Sequence, residues 1–177
     1  MTLADAKDIA SIAQSFAIVV GGIWAYHRYV LEENNYPHIE TSAEINFVGQ
    51  QGDFWIVELI AVLNNRGKVQ HKIRKFVFDL NAVFSDEKIE VNKKWGGQVD
   101  FANEVANGSF IPNDFQYFVI GPAITAKYSY VARVPKSARF LILHCSFDYV
   151  DDRGFSHSME KTVRIPDAPS GELEPKA

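Results

Sequence analysis

The chain of 177 residues contains a single cysteine. One cysteine rules out an intrachain disulfide and any cysteine-based zinc cluster. A positive charge excess is also missing, since 18 Lys and Arg stand against 22 Asp and Glu, a net of -4. A general nucleic-acid binder usually carries a basic excess, so nucleic acid is not expected as a partner. The glycine patterns that cradle phosphates or dinucleotides, G-x-x-x-x-G-K-[ST] and G-x-G-x-x-G, do not occur. Neither do H-E-x-x-H and G-x-S-x-G. The sequence therefore gives no reason to expect an enzyme, a resident metal or a cofactor.

Hydrophobic residues are concentrated near the N-terminus. From Ile9 to Leu31, 16 of 23 residues are hydrophobic, and no charged residue lies between Asp8 and Arg28. Ile9 to Tyr26 would form about 27 Å of helix at 1.5 Å per residue. With Arg28 snorkelling and Tyr29 to Leu31 continuing, the segment matches a hydrocarbon core of about 30 Å. Trp24, Tyr26 and Tyr29 sit at its end, where interfacial aromatics belong. Thr2 and Asp5 fit a capping box. Asp5 and Asp8 beside a lone Lys7 make a poor signal-peptide start. Residues 1–35 thus read as a tail and one transmembrane helix, spanning about 9–31. The expected location is the membrane, single-pass, with the lipid bilayer as a partner. Basic residues beyond the span favour a cytoplasmic β domain. Ala13, Ala17, Gly21 and Ala25 recur every four residues, a stripe that lets two helices approach and predicts a homo-oligomer.

After Pro37 the period changes from helix to strand. Ile39, Ala43, Ile45 and Phe47 alternate with Glu40, Ser42, Glu44 and Asn46. The same alternation holds in Phe76 to Phe84 and in Leu141 to Tyr149, and Phe54 to Leu63 is apolar apart from Glu58. Turn signals fall at Asn65-Arg66-Gly67, Asn107-Gly108, Gly121-Pro122, Pro135 and Asp152-Arg153-Gly154. Seven to nine strands with no second helical pattern read as an antiparallel immunoglobulin-like β-sandwich over 36–166. Residues 167–177 carry no apolar period and read as a disordered tail.

Val62-Leu63-Asn64-Asn65-Arg66-Gly67-Lys68 looks like the strand, Asn-x-Gly, strand element of bacterial immunoglobulin-like adhesion and accessory domains. Ile124 to Tyr149 resembles their late strands. The whole layout is similar to small, uncharacterised bacterial single-pass membrane proteins carrying one such domain. The resemblance implies a fold and a membrane location, and it carries over no catalytic residue.

Three clusters bear on function. Arg66, Lys68, Lys72, Arg74 and Lys75 place five positive charges within ten residues, beside His71. Such a patch suits an anionic lipid surface or an acidic partner. Cys145 shares parity with Leu141, Leu143 and Phe147, so it reads as a core thiol, with His144 on the opposite face. Asp148, Asp151, Asp152 and His157 flank a predicted hairpin, where carboxylates could hold calcium, although Arg153 would oppose a cation. The expected function is a membrane-anchored interaction module that binds an unidentified protein partner. The alternative is a membrane-tethered sensor in which a small ligand on the β domain controls helix association.

Overall fold

The structure, a computed structural model, describes residues 3–31, 37–92, 96–112, 114–150 and 155–166. The capping Thr2, the carboxylates Asp151 and Asp152, and the C-terminal tail lie outside the described residues.

The N-terminal apolar run does form a helix, α1 (Leu3–Tyr26), extended by one wider π-helical turn over His27–Leu31. Among the described residues, however, no helix is long and apolar enough to cross a membrane. Ser11, Gln14 and Ser15 interrupt its first half, and Ser15 Oγ donates to the Ser11 carbonyl at 3.0 Å. The stretch without a polar side chain, Phe16 to Ala25, is ten residues, about 15 Å of helix. That is roughly half of the hydrocarbon thickness it would have to match. The span over 9–31 and the single-pass membrane location are overturned by this finding, and the cytoplasmic placement of the β domain, argued from the orientation of that span, loses its premise.

The rest of the fold is antiparallel β-structure. One sheet has the order β1 (Ile39–Gln51), β2 (Phe54–Asn65), β8 (Thr125–Pro135). The other has the order β10 (Ser156–Arg164), β9 (Ala138–Tyr149), β3 (His71–Phe84), β6 (Asn103–Ser109). Strand β7 (Phe118–Ile120) pairs with the start of β3. A short ribbon joins β4 (Val91–Asn92) to β5 (Gln98–Val99).

Alternation decides which faces meet. In β1, Ile39, Ala43 and Ile45 are buried while Glu40, Glu44 and Asn46 are exposed. In β9, Leu141, Leu143, Cys145, Phe147 and Tyr149 all point into the core. Residues from both sheets form one hydrophobic cluster. Phe76, Phe78 and Phe147 are its largest fully buried side chains, each stabilising the fold by about 2–3 kcal/mol through removal from water.

Two local features near the turns of the sheets shape the molecule. In β3, the pairing with β9 shifts between Arg74 and Val77, and Lys75 has φ 51°. This is a β-bulge. Ile73 and Phe76 are both fully buried although three residues apart. An unbroken strand would send them to opposite faces, so the bulge restores the apolar parity.

The second feature is Asn65, the end of β2, which is fully buried. Its Nδ2 donates to the carbonyls of Val69 (2.8 Å), Ile120 (3.2 Å) and Gly121 (3.1 Å). Its Oδ1 accepts from Gly67 N at 2.9 Å. One amide side chain thus ties the β2–β3 turn to the β7–β8 connection.

The Asn107-Gly108 pair does not make the expected turn, because both residues lie inside β6. A Cβ on Gly108 would sit 3.0 Å from Cε1 and Cζ of Phe78. Gly108 is there to admit a ring, which is a different use of the same residue type.

Candidate functional site

The five basic residues of the β2–β3 region do not act together. Arg66 Nε pairs with Glu40 Oε2 at 2.9 Å, and Lys68 lies exposed in the turn. The other three gather around the β3 bulge. The Lys72 ammonium lies 5.5 Å from the centre of the Tyr117 ring, in cation–π range. Arg74 Nε and Lys75 Nζ approach the same oxygen, Asp148 Oδ2, at 3.9 and 3.4 Å.

The bulge opens a cleft because β3 loses its edge partners there. β7 pairs with His71 to Ile73, and β6 pairs with Val77 to Ala82. There Ser109, Ile111, Pro112 and Phe115 to Phe118 line an open cleft of about 450 Å³ together with Ile73 to Val77. One side is fixed where Phe110 N and Ser109 Oγ both donate to the Phe76 carbonyl at 3.0 Å. Ser109 Oγ also accepts from Ile111 N at 3.3 Å. The floor is Phe76, whose ring packs on Phe110, Phe118, Tyr128 and Phe147 at centroid distances of 4.9 to 6.2 Å. Phe115 and Tyr117 stand at the rim, 64% and 45% exposed. The cleft therefore combines a rigid aromatic floor, two exposed rings and a cationic edge. It suits an apolar side chain flanked by negative charge. The sequence showed the cations but not the rings, which reach the site only because the bulge interrupts the edge of β3.

The remaining candidate residues separate. Cys145 is fully buried, and its thiol is pushed up to about 12 by burial and by the Asp79 charge. His144 lies on the opposite face, with Nδ1 3.2 Å from Glu160 Oε1, so no thiol–imidazole pair forms. His157 stacks on Phe147 with ring centres 5.6 Å apart and planes within 7°. Asp148 serves the basic residues rather than His157. Among the described residues no group of His, Cys, Asp or Glu could hold a metal ion. On α1, Ala13, Ala17 and Gly21 are exposed and Ala25 is half-buried. The large residues around them, from Ile12 to Trp24, are 48–71% exposed.

No family model matches the chain, and no curated protein matches it. Among solved structures, a structural-genomics target aligns at 14% identity and a TM-score of 0.47, covering 78% of this chain and 94% of its own. A Bordetella pertussis protein designated ApaA aligns at 13% identity and 0.49, covering 75% and 97%. The sporulation control protein of Bacillus subtilis aligns at 14% and 0.40, covering 72% of this chain and 47% of its own. All three scores lie below 0.5.

Proposed function

We infer that this chain is a non-catalytic interaction module whose β domain docks an acidic, apolar-anchored segment of a partner protein. The observation that carries the reading is the cleft at the β3 bulge, where Arg74 and Lys75 border a pocket rimmed by Phe115 and Tyr117. An incoming Phe or Leu side chain would fill the aromatic pocket, and neighbouring carboxylates would meet the cations. The rings supply the affinity, since exposed aromatics are the usual anchors of interfaces. The cations supply orientation and a faster encounter. The half-open shape favours a segment of chain over a small molecule, which a pocket normally encloses by 70–90%.

Amide shift mapping with an acidic peptide carrying one Phe tests this. Shifts are expected to cluster at residues 73–77 and 109–118. Shifts confined to other strands would contradict the reading. Displacement of the peptide by an equimolar small aromatic carboxylate would instead favour a ligand sensor.

A further inference from the structure

Helix α1 carries a second stripe besides the small-residue one. Ile12, Phe16, Val19, Ile23 and Tyr26 follow one another at steps of four, three, four and three residues. That is heptad spacing, whose repeat of about 3.5 residues keeps one seam of large side chains facing a second helix. All five residues lie within regular α-helix. At about 100° of turn per residue they occupy one sector about 80° wide. Lys7, Ser11 and Gln14 fall outside that sector. The stripe of Ala13, Ala17, Gly21 and Ala25 is centred about 160° away, on the back of the helix. The five seam side chains are 58–71% exposed, so the chain itself leaves them largely uncovered.

We propose that this seam pairs with the same seam of a second copy of the chain, as a short two-stranded coiled coil. Two observations select a second copy as the occupant. The spacing is self-complementary, because each seam residue is a knob that fits a hole between four residues of an identical helix. The area also suffices. At roughly 120 Å² of exposed surface each, five such side chains offer about 600 Å² per copy and about 1,200 Å² for a pair, the lower bound for a stable interface. An isolated helix of this length is marginal in water, and pairing supplies the packing that stabilises it. The small-residue stripe then faces away from the contact. Val19 is the middle member of the five. Two-fold symmetry therefore brings it to its own copy whether the helices run parallel or antiparallel. The β3 bulge takes no part in this interface.

Sedimentation velocity of the full chain from micromolar to millimolar concentration tests it. A reversible change from one chain to two is expected as concentration rises. Phe16→Lys and Ile23→Lys should each weaken pairing at least tenfold. Gly21→Leu should leave it unchanged, since a Cβ at Gly21 meets nothing within 4 Å. Arg74→Glu with Lys75→Glu should pair as the parent does, which separates this interface from the cleft. Mild oxidation gives a second readout, because the natural Cys145 is buried. Val19→Cys should form an interchain disulfide at least tenfold faster than Gly21→Cys. A chain that stays monomeric throughout would overturn the proposal. So would pairing that is indifferent to Phe16→Lys and Ile23→Lys, or that Gly21→Leu abolishes. Monomers that instead sediment with phosphatidylcholine vesicles would assign the seam to a lipid surface and equally overturn it.

Discussion

Asn65 and Cys145 are both buried, and burial means opposite things for them. Asn65 satisfies three carbonyls and one amide from inside the fold. Replacing it with Ala leaves those groups without their partner in a place water reaches poorly. A loss of about 3 kcal/mol is expected, measurable as a lower urea midpoint at unchanged m-value. Cys145 makes a pH-dependent contribution instead. Its thiol is raised from the ordinary 9.0 to about 12 in the folded state. Below pH 9 both states keep the proton and no stability is lost. Between pH 9 and about 12 the unfolded thiol ionises while the folded one does not. Stability should therefore fall by about 1.4 kcal/mol per pH unit in that window. Cys145→Ser should flatten this part of the pH–stability profile. If the profile of Cys145→Ser matches the parent, the thiol does not carry the effect.

At the scale of elements, the β3 bulge places a non-glycine residue in the left-handed region, with Lys75 at φ 51°. Lys75→Gly should raise stability by about 1 kcal/mol by relieving that conformation, and Lys75→Ile should lower it by at least as much. Thermal unfolding of the pair checks the sign of both. The bulge also explains which strands were legible. β1, and β9 from Leu141 onward, keep a period of two, so their buried faces follow directly from the residue order. β3 breaks its period at Arg74 and Lys75, so the sequence shows a strand only from Lys75 onward and misses the His71 to Arg74 portion. The rings of Phe115 and Tyr117 were invisible as site residues because their neighbours are set by tertiary pairing. Asn107-Gly108 has turn composition, but the space needed by Phe78 decides its place in a strand. The N-terminal helix was read correctly as a helix and wrongly as a membrane span. Counting hydrophobic residues gave Ala the weight of Leu, and it ignored the interruption at Ser11, Gln14 and Ser15.

At the scale of the whole molecule, the proposed docking of an acidic segment turns on the charge balance at the β3 bulge. At the bulge, Asp148 engages both Arg74 and Lys75. Any acidic segment entering the cleft has to compete with that carboxylate. In the proposed docking, Asp148 would act as an internal competitor for Arg74 and Lys75. The exposed apolar surface of α1 points the same way at a larger scale, since surface of this kind usually meets a partner. The most direct test is fluorescence anisotropy of a labelled acidic peptide carrying one Phe, titrated with the full chain and two variants. Reversing the charge with Arg74→Glu and Lys75→Glu should weaken binding about tenfold, which is 1.4 kcal/mol. Asp148→Asn should tighten it about threefold, a modest gain because exposed ion pairs are worth only about 0.2–1 kcal/mol. Equal affinities for all three proteins would contradict the account.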